Sequence, residues 1–153
     1  MLLLLNIVPN EQVIKIIDAI LEEKSLNPNL TLTVDILNKY LKKLNWSYLS
    51  SNPALNIEMI NKYKYKLDWF WLGTNPNLTV EFINQNLNKV YWTSLSNNPS
   101  LTIDFINKHL DKLDWNTLSY NPNLTLDFIN QHLNKINFNN LGSNPCLKPL
   151  FQV

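Results

Sequence analysis

The sequence predicts an all-α solenoid built from about five repeats of 23 residues. The clearest sign is a ladder of aromatic residues with this spacing: Trp46, Trp69, Trp92 and Trp115, with Phe138 at the next position in the register. Prolines return at the same interval: Pro53, Pro76, Pro99, Pro122 and Pro145. No stretch shows the sustained apolar–polar alternation of a β-strand, which disfavours a strand-bearing leucine-rich repeat.

The first predicted element of each repeat is an amphipathic helix, and residues 75–97 illustrate it. Asn75-Pro76 marks a turn, because the residue before a proline is disfavoured in the helical conformation. Thr79 is placed to cap a helix that runs roughly over residues 80–89. At helical spacing, one face of this helix is apolar and is predicted to face the core: Val80, Phe82, Ile83, Leu87 and Val90.

The second predicted element is a short helical segment that begins at the repeated tryptophan. In the next repeat, Asp114 is placed to cap residues 115–119. We expect one turn of α- or 3₁₀-helix there, with Trp115 and Leu118 facing the core. A single repeat of this kind cannot bury its own apolar face, so neighbouring repeats are expected to stack.

This register divides the chain into three regions. Residues 1–26 are predicted to form an N-terminal capping helix, for which Asn10 can act as the N-cap. Residues 27–145 are predicted to form the five-repeat solenoid, and residues 146–153 are predicted to form a truncated sixth repeat or a tail. The tail is apolar, whereas the ends of repeat arrays are normally polar. We therefore expect a homodimer through the C-terminal end, with contacts made by Leu147, Leu150, Phe151 and Val153.

Composition argues against several classes of function. The net charge is +1 and all 13 basic residues are lysine, whereas nucleic-acid binders normally have a positive field and arginines. The single cysteine, Cys146, excludes a disulfide within the chain. The N-terminus lacks a basic segment and a cleavage site, and no apolar run is as long as a membrane helix. We therefore expect an intracellular protein that is neither secreted nor inserted in a membrane.

The segment Leu118–Thr125, Leu-Ser-Tyr-Asn-Pro-Asn-Leu-Thr, resembles the leucine-rich repeat variant family, whose repeats alternate an α-helix with a 3₁₀-helix. The resemblance covers most of residues 27–145, although tryptophan replaces the usual residues before the turn. The whole repeat is more similar to the Trp-x-x-Leu-Ser-x-Asn-Pro repeats of proteins from large DNA viruses that infect amoebae. These resemblances imply a helical solenoid of viral origin, located in the host cytoplasm or nucleus, and carry over no catalytic residue.

Three columns of polar residues recur along the repeats. The asparagine column is interpreted as a hydrogen-bond ladder between repeats, with a ligand-reading row or codon bias after duplication as alternatives: Asn38, Asn61, Asn84, Asn107 and Asn130. The acidic column lies in the first helical turn, where the helix dipole explains it better than catalysis does: Asp35, Glu58, Glu81, Asp104 and Asp127. His109 and His132 share a third column, and we expect them to pack at the margin of the core. Positions one repeat apart are separated by about 8–10 Å, too far for two histidines to share a zinc ion.

One repeat departs from the pattern by replacing polar residues with aromatic ones. After Trp69 it has Phe70-Trp71, where the next repeat has Thr93-Ser94. Drift in a tolerant repeat is one explanation, and a partner-binding surface is the other. The predicted partner-binding residues are Tyr48, Tyr63, Lys64, Tyr65, Phe70 and Trp71.

The sequence therefore predicts a non-catalytic protein-binding or scaffolding module with no cofactor and no metal site. The alternative is single-stranded nucleic-acid binding, in which exposed aromatic rings stack on bases and lysines contact phosphates. An enzyme is not expected, because no column pairs an acid with a nucleophile and no glycine-rich phosphate loop is present.

Overall fold

A computed structural model describes residues 34–42, 44–145 and 147. Within these residues the chain forms ten helices and no β-strand, in agreement with the predicted all-α class. The chain divides into two compact units, Met1–Asp68 and Trp69–Val153. The predicted N-terminal capping helix within residues 1–26 lies outside the described residues.

Two kinds of helix alternate along the described chain. Helices of the first kind have six or seven residues and begin with an apolar residue and an acid: α1 (Val34–Tyr40), α3 (Ile57–Tyr63), α5 (Val80–Gln85), α7 (Ile103–Lys108) and α9 (Leu126–Gln131). Helices of the second kind have four to six residues and begin at the repeated aromatic: α2 (Trp46–Ser51), α4 (Trp69–Leu72), α6 (Trp92–Ser96), α8 (Trp115–Leu118) and α10 (Phe138–Leu141). These two kinds are the two elements predicted for each repeat.

Threonine side chains begin the helices of the first kind in the second compact unit. The backbone N–H of Phe82 donates to Thr79 Oγ1 at 3.1 Å, which confirms the predicted cap of α5. The cap is repeated at α7 and α9, where Thr102 and Thr125 accept from residues three positions later at 3.2 and 3.1 Å. Each cap satisfies one of the backbone donors that a helix leaves without a partner at its start.

The helix α5 ends at Gln85, earlier than the sequence predicts. The backbone N–H of Asn86 donates to Ile83 at 3.0 Å. Its side-chain amide donates to the carbonyl of Phe82 at 2.8 Å, which is the acceptor that the backbone N–H would use in a continued α-helix. The helices α7 and α9 end at the equivalent residue, where His109 and His132 replace Asn86, so the position of the helix end does not depend on this side chain.

The core is made mainly of leucine and isoleucine in fixed positions of the repeat. Three buried columns account for much of it: Leu55, Leu78, Leu101 and Leu124 before the first helix, Ile60, Ile83, Ile106 and Ile129 within it, and Leu49, Leu72, Leu95, Leu118 and Leu141 in the short helix. Each position has a fixed apolar residue, so the repeats bury equivalent side chains.

The predicted core face of α5 is correct only in part. Phe82 and Ile83 are buried, as expected. Three other residues predicted for this face are half-buried: Val80, Leu87 and Val90. Because the helix ends at Gln85, the last two lie in the turn that follows rather than on its inner face. Leu78, which precedes the helix cap, is buried instead.

Candidate functional site

A ladder of buried asparagines links successive repeats in the second compact unit. The side-chain amide of Asn121 donates to the carbonyl oxygens of Ser96 at 2.8 Å and Asn98 at 3.0 Å. Asn98 makes the equivalent pair of bonds to Gly73 and Asn75 at 2.6 and 2.9 Å. Each amide therefore spans from its own Asn-Pro turn to that of the preceding repeat.

The ladder is continued by Asn144, whose amide donates to Ser119 at 2.9 Å and Asn121 at 2.8 Å. The side-chain oxygens of this column are also used, since Asn98 and Asn121 each accept from the backbone N–H two residues later at 2.8 and 3.0 Å. A buried amide with its donor and acceptor both engaged meets the requirement that buried polar groups be hydrogen-bonded.

The sequence-based assignment of the hydrogen-bond ladder was therefore wrong about the column in the second compact unit. Asn84, Asn107 and Asn130, in the helices of the first kind, are exposed. In the same column, Asn61 donates to Ile57 in its own helix at 3.0 Å. The residue before proline reaches the carbonyls of a neighbouring turn instead, and the repeated Asn-Pro pair was the sequence signal that could have identified it.

A second set of bonds between successive short-helix segments uses buried serines. In the second compact unit, Ser96 Oγ donates to the carbonyl of Trp92 at 2.6 Å and accepts from the backbone N–H of Asp114 at 2.9 Å. Ser119 repeats this with Trp115 at 2.7 Å and Asn137 at 3.0 Å. Together with the asparagines, these serines hold successive short helices in register.

The repeated tryptophans form the seams between repeats. Trp92 stacks on Phe105 with ring centroids 6.3 Å apart, and Lys112 Nζ lies 5.4 Å from the tryptophan centroid. The same arrangement recurs at Trp69 with Phe82 and Lys89, and at Trp115 with Phe128 and Lys135. The tryptophans are half-buried, because one part of each ring meets the next repeat and another meets a lysine.

The histidine column packs against these seams. The His132 ring lies 4.6 Å from Phe128 and 5.2 Å from Trp115, measured between ring centroids. His109 makes the equivalent contacts and is buried. Among the described residues, no group of three or more His, Cys, Asp or Glu side chains is placed to hold a metal ion.

Three exposed aromatic rings touch one another in the second compact unit. Phe70 lies 5.4 Å from Trp71 and 5.9 Å from Tyr91, with interplanar angles of 87° and 80°. Both are edge-to-face contacts, a favoured geometry for aromatic pairs. The exposed fractions are 42% for Phe70, 43% for Trp71 and 56% for Tyr91, which makes this cluster accessible to a partner. We refer to Phe70, Trp71 and Tyr91 as the aromatic patch.

Tyr91 was not predicted as a site residue, and it occupies a helix-capping position. In the equivalent position, Asp114 accepts from the backbone N–H of Thr117 at 2.8 Å, and Asn137 caps α10 in the same way. Tyr91 precedes α6 and makes no side-chain capping bond. The replacement of an aspartate by tyrosine before the repeated tryptophan was a visible sequence signal.

The predicted partner site contained one residue that the structure removes from the surface. Tyr63 is buried, and its hydroxyl donates to Asn38 Oδ1 at 2.8 Å, with the carbonyl oxygen of Val34 3.2 Å away as a second acceptor for the same proton. Burial raises the pKa of this hydroxyl, with smaller contributions from Tyr65 and Asp35. Tyr63 shares the column of the histidines, which faces the seam, and its ring centroid lies 5.5 Å from that of Trp46 with the rings tilted by 45°. Its role in the first compact unit is therefore structural.

The remaining predicted site residues are exposed or lie outside the description. Tyr48, Lys64 and Tyr65 are exposed in the first compact unit, whereas Phe70 and Trp71 belong to the second. Leu147 is half-buried, and its N–H donates to the carbonyl of Asn144 at 3.1 Å. The other three residues predicted for self-association lie outside the described residues, and the homodimer stays a prediction: Leu150, Phe151 and Val153.

None of the described helices is both long and apolar enough to span a bilayer. No protein-family profile, curated protein or solved structure matches this chain.

Proposed function

We propose that this chain is a non-catalytic protein-binding module, a solenoid of about five stacked repeats that captures its partner on the aromatic patch. The observation that carries this proposal is the contact of Phe70 with both Trp71 and Tyr91, three exposed rings at positions that the following repeats fill with small or capping residues. Exposed aromatics that touch one another form a contiguous apolar surface, which on a folded protein usually marks an interaction site.

The short helix of the repeat also forms with small residues at the positions of Phe70 and Trp71. The residues that correspond to Phe70 and Trp71 in the next repeat are Thr93 and Ser94, and in the following repeat Asn116 and Thr117. The short helices α6 and α8 form with those smaller residues. At Tyr91 the chain also lacks a side-chain cap, which elsewhere contributes about 1 kcal/mol. A large exposed residue that stands where other repeats have a stabilising cap supports the proposal that this residue was selected for binding.

The ladders described above support a role as a rigid platform. Asparagine amides, serine hydroxyls and stacked tryptophans connect each repeat of the second compact unit to the next. A partner that docks on such a surface orders few additional groups, which reduces the entropic penalty of association.

Two features favour a protein partner over single-stranded nucleic acid. Each tryptophan of the ladder in the second compact unit already contacts a phenylalanine and a lysine ammonium, which hinders stacking of a base on it. The net charge of the chain is only +1, and it contains no arginine. Proteins bind phosphate backbones mainly through positively charged side chains, and this chain has little net positive charge with which to attract them.

Affinity capture tests this proposal. The wild-type chain, a patch variant (Phe70→Thr with Trp71→Ser and Tyr91→Asp) and a control variant are immobilised and incubated with lysate from the native host, and captured proteins are quantified by mass spectrometry. The control is Tyr120→Asn, which removes another exposed aromatic and introduces the residue found at Asn97, its equivalent one repeat earlier. We expect wild type and control to retain a common partner that the patch variant loses.

A second measurement separates the two candidate functions. The purified partner and a labelled single-stranded oligonucleotide are each titrated with the chain at low and high salt. For the protein partner we expect at least about a tenfold loss of affinity in the patch variant and little dependence on salt, because aromatic hot spots contribute about 2 kcal/mol or more each. Tight oligonucleotide binding that falls steeply with salt would instead support the nucleic-acid function. Undiminished partner capture by a correctly folded patch variant would overturn the proposed site.

A further inference from the structure

One position of the repeat, at or just after the C-terminal end of a helix of the first kind, lies in a seam, and the hydrogen bonding of its polar atoms differs from repeat to repeat. In the first compact unit this residue is Tyr63, whose hydroxyl is hydrogen-bonded to Asn38. In the second it is Asn86, whose amide donates to Phe82 at 2.8 Å. The next residue in the column is His109, which is 6% exposed. Its Nε2 atom is buried without a hydrogen-bond partner in the part of the chain that the structure describes.

Aromatic rings enclose the His109 imidazole. Its centroid lies 4.5 Å from that of Phe105 and 5.3 Å from that of Trp92, with interplanar angles of 45° and 41°. A neutral imidazole carries one N–H and one lone pair, and it can occupy such a site with a single nitrogen left without a partner. A protonated imidazole carries an N–H on both nitrogens, and the buried one would then be a charged donor without an acceptor.

The charges around His109 add to this effect. Burial is the main factor that lowers its pKa, and Lys112 and Lys108 lower it further, whereas Asp111 raises it. The short helix α6, which provides Trp92, has no ionisable side chain that could neutralise an imidazolium. The C-terminal end of α7 and the neighbouring rings would favour a cation and so act in the opposite direction to burial and the two lysines.

We propose that His109 makes the seam between α6 and α7 acid-sensitive: protonation of its imidazole expels the ring from its contacts with Trp92 and Phe105 and loosens the packing of the two repeats. The proposal does not depend on the partner-binding function of the aromatic patch. Lys112, which lies over the Trp92 ring, would repel the new charge and is itself part of the seam. Acidification therefore acts on the ring contacts among Trp92, Phe105 and His109 in this seam.

The direction of the pH dependence follows from the native preference for neutral His109. The folded state has the lower pKa, so the unfolded chain binds more protons as the pH falls through the ordinary histidine value of about 6.5. The stability contributed by neutral His109 is complete above that value and decreases as the pH falls below it. Protonation then shifts the population toward states in which the imidazole reaches water.

The test compares His109→Asn with His132→Asn by urea unfolding at about pH 7.5 and about pH 5, on either side of the ordinary histidine pKa. Asparagine is the natural residue at this position in Asn86, whose amide finds a backbone acceptor. We expect the urea midpoint of the wild type to be lower at the acidic pH than at the neutral pH. We expect a clearly smaller decrease of the midpoint in His109→Asn, and a decrease close to that of the wild type in His132→Asn. Equal falls in wild type and His109→Asn would overturn the proposal.

A spectroscopic measurement tests the same point without a change at His109. The His132→Asn variant retains His109 as its sole histidine, so its one imidazole Cε1–H resonance can be followed by NMR as the pH is lowered. We expect this resonance to titrate below the ordinary histidine pKa and the Trp92 indole signal to change with it. Titration at or above the ordinary value, or an indole signal that does not respond, would contradict an acid-sensitive seam.

Discussion

The side-chain amide of Asn121 donates to the backbone carbonyl of Asn98, its equivalent 23 residues earlier, at 3.0 Å. Both side chains are fully buried, and each also accepts a backbone N–H within its own turn. One residue type therefore closes the Asn-Pro turn and joins it to the preceding repeat. Since a buried carbonyl without a donor is costly, this relationship explains why asparagine recurs before every proline of the register.

Replacing Asn121 with Asp should destabilise the protein strongly. The substitution preserves shape but exchanges a donor for an acceptor opposite two carbonyl oxygens, and it introduces a charge in a buried site. We expect the free energy of unfolding to fall by about 3 kcal/mol or more at neutral pH, measured by urea denaturation. The matched control is Asn130→Asp, an exposed asparagine of the helical column, which should remain close to wild type. Similar losses for both would mean that the ladder is not a main source of stability.

Replacing Tyr91 with Asp should stabilise the protein and at the same time remove partner binding. The aspartate restores the cap seen at Asp114, whose carboxylate accepts from Thr117 at 2.8 Å. We expect a gain of about 1 kcal/mol in the free energy of unfolding, together with loss of the partner in affinity capture. A less stable variant would show that the tyrosine ring is needed for folding, and a stable variant that still binds would remove Tyr91 from the site.

Replacing Trp92 with Ala should destabilise the protein by about 2–4 kcal/mol, toward the lower part of the range for large buried aromatics, because the ring is half-buried. The substitution removes the stacking on Phe105 and leaves the His109 ring without one wall. Phe138→Ala is the control in the same register, since Phe138 is 61% exposed and should contribute much less. Denaturation midpoints that coincide for the two variants would exclude the tryptophan seam as a stabilising element.

Replacing Ser96 with Ala should reduce stability by about 1–3 kcal/mol, since two backbone groups lose their side-chain partner. Ser96 accepts from the N–H of Asp114 and donates to the carbonyl of Trp92, and it is fully buried. Thr93→Ala, an exposed position of the same helix, should have a midpoint near that of the wild type. Hydrogen exchange gives an additional readout, because the Asp114 amide should lose protection only in the Ser96 variant. If its protection is unchanged, the serine bond does not order this junction.

Local patterns in the sequence predicted the helices and their caps well, because these depend on residues close together in the chain. Thr79 caps α5 and Asp114 caps α8, as the spacing of polar and apolar residues indicated. The aromatic patch was predicted in part, since Phe70 and Trp71 differ visibly from their equivalents. Helix length was overestimated at α5, where the backbone N–H of Asn86 bonds to Ile83, three residues earlier, as the equivalent residues do after α7 and α9.

The amino-acid sequence by itself determined the 23-residue period, the all-α class and the two kinds of helix, since each follows from spacing and local hydrogen bonding. Only the tertiary structure decided which polar columns are buried. Asn121 and Asn130 are the same residue type in one repeat, yet one bridges two turns and the other is exposed. Likewise Tyr63 is buried and Tyr91 joins the aromatic patch. The reason is that hydrogen-bond partners and solvent exposure depend on how the neighbouring repeat packs. The sequence pattern within one repeat does not specify that packing.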